Sequence, residues 1–244
     1  MPLQNLHTFL KSDKITKLLA VFPHPDDESF CVGGLCQLAQ DYNIKTSLMC
    51  LTKGEKGLNS YGKGSLKTTR EAELRKASKI LGIDELLISD YQDAGLKETT
   101  AHWLPKLHKE IARIKPDVIV TFDHSGITGH PDHIVVSVEL LKLLKNLSFL
   151  PVLLWRVPDS EEKKYFKENP ALSFASEATH GLAYNLSHSL KKIQAIYTHR
   201  SQMKSFTFKL QILEWFLFDH KELYHKVDLK KDYSFKYFSG KTSK

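Results

Sequence analysis

A doubly wound, mostly parallel α/β sheet with helices on both faces is the fold that the sequence predicts. Three observations predict it. Short apolar runs recur at residues 18–22, 44–51, 85–89, 117–122 and 152–157. Stretches with helix start and stop signals lie between them. Polar turns rich in histidine and acid follow the first and fourth runs, where an open α/β sheet places its ligands.

Taken in order, residues up to about 17 read as an amphipathic lead-in. Residues 18–22 (Leu-Leu-Ala-Val-Phe) suit a buried parallel strand ended by Pro23. Ser29 is placed to cap the next helix, which runs to about Tyr42, with Gly33 and Gly34 permitting a close start. A second strand at 44–51 leads into a Gly- and Lys-rich loop, 53–65. Thr68 or Thr69 caps a helix that ends at Leu81, where Gly82 stops it. A third strand, 85–89, and a helix over 100–114, ended by Pro116, come next. Residues 117–122 (Asp-Val-Ile-Val-Thr-Phe) form the plainest strand, rich in β-branched residues. The polar loop 123–129 precedes a helix from Pro131 to about Lys145, with proline in a favourable first-turn position. The fifth strand is 152–157. From Pro158 the pattern loosens: a polar surface excursion over 161–176, a strand at 182–186, a helix at 189–199, an aromatic-rich helix at 206–218 and a lysine-rich tail from Lys230. Residues 1–244 read as one domain, irregular from about 158.

The balance of 35 Lys+Arg against 28 Asp+Glu gives a formal charge of +7, spread along the chain. No arginine-rich tract or nucleic-acid-binding motif accompanies it, which makes nucleic acid a weak alternative partner. Cys31, Cys36 and Cys50 form no CxxC pair and cannot all be bridged, as suits a reducing cytoplasm. The start lacks a basic region followed by an apolar one, and the longest apolar stretch, around 147–155, contains Pro151 and is too short to span a bilayer. The expectation is a soluble cytoplasmic protein without membrane contact, its oligomeric state open, a homo-oligomer included.

His24 stands between Pro23 and Pro25, and Asp26, Asp27 and Glu28 follow it. An acidic helix start favoured by the macrodipole accounts for one or two acids, but not for a histidine held between two prolines. The loop after the fourth strand carries His130 and His133, three apart at a helix start and so able to face one point. In the strand order 3-2-1-4-5, the first and fourth strands are neighbours and the two loops meet. His24, one of Asp26 or Asp27, and His133 then supply two imidazoles and a carboxylate with an open fourth position, the pattern of a catalytic zinc.

These residues resemble a known family. His24-Pro-Asp-Asp-Glu28 and Gly129-His-Pro-Asp-His133 are similar to the paired signatures of the LmbE-like (PIG-L) N-acetylglucosaminyl deacetylases, metal-dependent hydrolases with a Rossmann-like sheet. Arg70-Glu-Ala-Glu-Leu with Ala77 and Leu81-Gly82 resembles the family's Arg-x-x-Glu helix, and Asp93 with Leu96 its Asp-x-x-Leu loop. Lys192-Ile-Gln-Ala195 and His199-Arg-Ser-Gln202 are similar to its C-terminal stretch. Pro23 departs from the alanine common there, implying a stiffer turn. The resemblance implies His24, Asp27 and His133 as metal ligands, zinc or ferrous iron as the metal, Asp26 as general base and protonated His130 as oxyanion stabiliser. It also implies that Arg70 and Asp93 hold sugar hydroxyls or an attached group, the alternative for Arg70 being a helix-surface pair with Glu71 or Glu73. Asp132 is expected to cap its helix or orient a ligand. The implied partner is a small acetylated amino sugar.

Two rivals come from other classes. Gly57-Leu-Asn-Ser-Tyr-Gly62-Lys63 matches most of a phosphate-binding P-loop, but Gly64 stands where Ser or Thr is required, and a lid beside the crevice is favoured. A two-metal phosphoesterase needs more ligands than the two loops supply.

Overall fold

The structure is a computed structural model that describes residues 2–12, 15–60, 62, 64–203, 221–231 and 233. The expected helix over 206–218 and most of the tail lie outside the described residues. The strands are β1 (Gln4–Asn5), β2 (Lys17–Phe22), β3 (Lys45–Thr52), β4 (Glu85–Tyr91), β5 (Val118–Phe122), β6 (Val152–Arg156), β7 (His180–Ala183) and β8 (Lys221–Lys226). They form a mixed, mostly parallel eight-stranded sheet in the order β1-β7-β8-β6-β5-β2-β3-β4. Strands β4-β3-β2-β5-β6 are parallel and reproduce the expected 3-2-1-4-5 order. β8 runs antiparallel between β6 and β7.

The main helices are α1 (Leu6–Ser12), α2 (Asp27–Asp41), α3 (Leu66–Leu81), α4 (Thr100–Ile114), α5 (Gly126–Gly129), α6 (Pro131–Lys145), α7 (Ser160–Tyr165) and α8 (Leu186–Ile196). β2 shows why both faces are covered. Leu18, Ala20 and Phe22 join a core with α1, α2, α3 and α8, while Leu19 and Val21 join a second core with α4 and α6. A strand whose alternate side chains are all apolar must be buried on both sides. The fold class and the amphipathic lead-in (Leu6, Phe9 and Leu10 buried) are as expected.

Several local expectations are corrected. α2 starts at Asp27 with Asp26 at its N-cap, and the Ser29 hydroxyl bonds Glu28 instead of capping. Gly33 and Gly34 do not serve the helix start: a Cβ on Gly33 would lie 2.7 Å from the Lys192 side chain and one on Gly34 2.4 Å from Tyr184, so they admit the C-terminal elements. α3 is capped by Ser65, whose Oγ accepts from the Thr68 N–H, not by Thr68 or Thr69. Gly82 closes α3 in the left-handed region as expected. The strand expected at 182–186 is β7, and Leu186 already opens α8. The excursion after Pro158 contains α7 and a 3-10 turn, Pro170–Phe174.

Candidate active site

β2 and β5 pair in register from Leu18↔Val118 to Ala20↔Val120, and their loops therefore emerge side by side. The Thr121 hydroxyl donates to Val21 O (2.7 Å), and the Phe22 and Phe122 rings meet edge to face. On the other flank, Pro23 O accepts the N–H and the hydroxyl of Thr52, each at 2.9 Å. The backbone carrying His24 is thus fixed on both sides before the histidine begins.

His24 and His133 converge. His24 Nδ1 lies 3.2 Å from His133 Nε2 and 3.7 Å from an Asp27 oxygen, and His133 Nε2 lies 3.4 Å from the other Asp27 oxygen. Each outer nitrogen is occupied. His133 Nδ1–H donates to Gly126 O (3.0 Å), and its ring stacks on Phe122 with centroids 4.0 Å apart and planes at 6°. His24 Nε2–H faces Asp93 (3.0 Å) and Asp132 (3.3 Å). Such outer bonds select the tautomer and aim the remaining nitrogens inward.

The donor set fits a divalent ion. A tetrahedral ion with Zn–N bonds near 2.0–2.1 Å has ligand atoms about 3.3 Å apart, close to the 3.2 Å between the two imidazole nitrogens, and Asp27 meets them with one oxygen each at 3.7 and 3.4 Å. The charges concur. Burial opposes protonation of His24, but hydrogen bonds to Asp132 and Asp93 and the charge of Asp27 outweigh it and raise its pKa to about 10. Burial pushes Asp27 up to about 8 against the attraction of His24. Burial, His24 and His130 hold His133 well below its ordinary value.

Asp26 lines the same cleft as His24, Asp27 and His133 but stands outside the triangle they form. Its carboxylate takes an ion pair from Arg70 (3.1 Å), and its backbone is at φ 107°. Arg70 is 3% exposed and donates to Gly54 O and Pro25 O. Gly54 is left-handed (φ 63°), and a Cβ there would lie 2.2 Å from the guanidinium, as one on Gly57 would lie 2.4 Å from it; these two glycines thus make room for this arginine. Arg70 makes no surface pair: Glu71 binds Lys53 and Arg75, while Glu73 accepts from Ser201. Asp93 is 4% exposed, and besides His24 it accepts the Lys56 N–H, so it turns toward the ligand cluster. Burial would raise its pKa, but His24 holds it low. Asp132 accepts the N–H groups of Ala94 (2.8 Å) and Leu96 (3.1 Å) and also faces His24.

His130 is the N-cap of α6, its Nδ1 accepting the Asp132 N–H. Its ring stands edge-on to His24 at 4.6 Å, and burial and His24 lower its pKa. Because Nδ1 accepts, Nε2 is the nitrogen of this ring that carries a proton. All these groups except Asp132 line one cleft of about 570 Å³, walled by Phe30, Ile127, Tyr165, Phe166 and Met203.

Two features went unread in the sequence. Glu28 is wholly buried and bonds His199 at 2.8 Å, a pair 171 positions apart that no local pattern reveals. Arg156, also buried, grips both oxygens of Glu162 (2.8 and 2.9 Å) and ties α7 to the rim. The P-loop-like stretch borders the cleft, which Gly57 and Leu58 line, and is tied to the C-terminal stretch: Gln202 donates to Leu58 O, and Ser60 bonds Ser201 O and Met203 O. Lys63 lies outside the described residues.

The PIG-L family model, described as GlcNAc-PI de-N-acetylase, matches residues 19–144. The probable N-acetyl-alpha-D-glucosaminyl L-malate deacetylase 2 of Bacillus anthracis is 30% identical over 198 residues, covering 76% of this chain and 80% of the relative. Other relatives are matched over about half to three fifths of their own length. Among solved structures, the N,N′-diacetylchitobiose deacetylase of Pyrococcus horikoshii superposes with a TM-score of 0.69 at 19% identity, over 92% of this chain and 88% of that one. The 4-carboxy-2-hydroxymuconate hydratase of Pseudomonas putida does so with 0.62 at 17%, over 90% and 99%. A hydratase shares this fold, so the structural likeness carries architecture and not chemistry. Strand order, the paired histidine loops and the sequence match together make this chain a member of the PIG-L family.

Proposed function

We propose that the protein is a metal-dependent hydrolase that removes the acetyl group from an N-acetylglucosamine-type conjugate. The observation that carries this reading is the triangle of His24 Nδ1, Asp27 and His133 Nε2, with sides of 3.2 to 3.7 Å at the floor of a cleft. These residues would hold the ion. Zinc suits two imidazoles and a carboxylate, and ferrous iron binds such sets as well. When bound, the ion supplies a Lewis acid and lowers the pKa of a coordinated water toward about 7.

The remaining work falls to the chain. Asp26, outside the triangle and charged against Arg70, accepts the proton of the attacking water. The water oxygen bonds the acetamide carbonyl carbon, and His130 donates through Nε2–H to the oxygen that gains charge. The carbon–nitrogen bond then breaks, and Asp26 returns its proton to the leaving amine, giving acetate and free amino sugar. Asp93 and Asp132 hold His24 in place, their oxygens also accepting backbone N–H groups.

The substrate reading comes from the deacetylase relatives, for GlcNAc-malate among them. The buried, unbridged Cys31, Cys36 and Cys50 support a reducing cytoplasmic location. No helix among the described residues is long and apolar enough to cross a membrane. The test is amine release from N-acetylglucosaminyl malate, N-acetylglucosaminyl inositol and diacetylchitobiose, with and without added Zn²⁺. Metal-dependent release from one of them is expected; phosphate release from nitrophenyl phosphate without any amide cleavage would overturn the reading.

A further inference from the structure

Glu28 and His199 take no part in the chemistry above, yet they meet wholly buried beneath it. His199 Nε2–H donates to Glu28 Oε1 at 2.8 Å, and the Ser29 hydroxyl donates to the same oxygen at 2.6 Å. The other oxygen, Oε2, accepts the backbone N–H of Asp26 at 3.0 Å. Asp26 has φ 107° and ψ −30°, a conformation that L residues rarely adopt. Such strain persists only where the surroundings over-determine it. Two grips do so here: Arg70 on the side chain and Glu28 on the amide. Both lead to one C-terminal stretch. The Ser201 N–H and hydroxyl donate to Glu73 at 2.9 and 2.6 Å, three residues along α3 from Arg70. His199 Nδ1 is buried without a hydrogen-bond partner among the described residues, so this ring bonds through Nε2, at 2.8 Å to Glu28 and 3.4 Å to Ser29 Oγ.

We propose that Glu28 and His199 are a positioning pair that holds Asp26 in its strained backbone conformation and so aims its carboxylate at the reacting water. This rests on the reading of Asp26 as the base. The pair touches neither the triangle's nitrogens nor the substrate, and its loss acts on turnover, not on metal or substrate binding.

The experiment compares three variants, loaded with zinc and assayed for amine release from N-acetylglucosaminyl malate. Glu28→Gln keeps an acceptor for the Asp26 N–H. Glu28→Met/His199→Phe removes both partners together, which strands no buried charge. Glu28→Asp keeps the charge opposite His199 but withdraws the acceptor by one carbon, and serves if the double variant fails to fold. Because misplacement of about 1 Å costs roughly 100-fold, the double variant should lose about that in kcat, and Glu28→Asp about 10-fold or more. KM, melting temperature and one zinc per chain should stay within about twofold or a few degrees of wild type, and Glu28→Gln should keep turnover within about fivefold. Crystal structures of the variants should show Asp26 leaving its positive φ. Unchanged kcat, loss of zinc, or Asp26 still near φ 107° without its acceptor would overturn the inference. If wild type releases no amine from any acetylated sugar, the deacetylase reading fails, and the Asp26 backbone in those crystals still decides whether the pair holds it.

Discussion

Replacing Asp26 with asparagine separates base from ligand. The Asp26 carboxylate faces Arg70 at 3.1 Å, while the Asp27 oxygens lie 3.4 and 3.7 Å from the inward nitrogens of His133 and His24. Asparagine keeps the shape and tolerates positive φ better than alanine, which would add backbone strain at φ 107°. Arg70 keeps its bonds to Gly54 O and Pro25 O but loses the carboxylate opposite its buried charge, so the fold loses up to about 3–5 kcal/mol. Loss of a positioned base costs about 10²- to 10⁴-fold in rate, or roughly 2.7 to 5.5 kcal/mol of barrier. Amine release measured beside metal content by mass spectrometry is the assay. Asp26→Asn should turn over about 10²- to 10⁴-fold more slowly with its metal intact, whereas Asp27→Asn should lose metal. The opposite pattern, metal lost from Asp26→Asn and kept by Asp27→Asn, would refute the division of labour.

Three further outcomes follow from the same geometry. Asp132→Asn must set an amide N–H against one of the backbone N–H groups it now accepts, loosening His24; metal affinity by chelator competition should fall about 10- to 100-fold. Chelation should abolish amine release and Zn²⁺ should restore it; indifference to chelation would count against a metal site. Lys192→Met strands Glu222, since the two are wholly buried 2.6 Å apart. Calorimetry should show a loss of about 3–5 kcal/mol, or roughly 6–20 °C in melting temperature, part of which Lys192→Met/Glu222→Gln recovers.

The parallel core was legible because its strands are apolar on both faces. Leu18 to Phe22 and Val118 to Phe122 bury every residue, and such runs are written plainly in a sequence. The two loops at their ends carried the site, and parallel pairing of β2 with β5 brought them together. β8 was not legible. Its sequence Lys-Glu-Leu-Tyr-His-Lys turns Glu222 into the core with Tyr224, and an inward acid breaks the alternation that marks a strand. Lys192, Gly34 and Leu35, brought from afar, and Tyr224 on the same strand explain that acid by donating to it. Helix starts were misread for a related reason. Serine and threonine are good caps wherever they stand, and Ser29, Thr68 and Thr69 offered themselves one turn too late. Arg70 illustrates the limit of local reading: helical spacing offered Glu71 and Glu73, while burial assigned it Asp26, 44 positions earlier.

The wall of the cleft that carries α7 is a detour from the sheet, hooked on by a handful of bonds: Arg156 to Glu162, Asn169 Nδ2–H to Ile127 O, and the Ser176 N–H to Asp123. The reacting groups, by contrast, stand on backbone pinned by parallel strands. Selection can therefore rewrite the detour while leaving the chemistry in register, as a craftsman changes the jaw of a vice without recasting its bed. Grafting residues 158–178 between relatives that share these hooks is a direct way to transplant substrate preference.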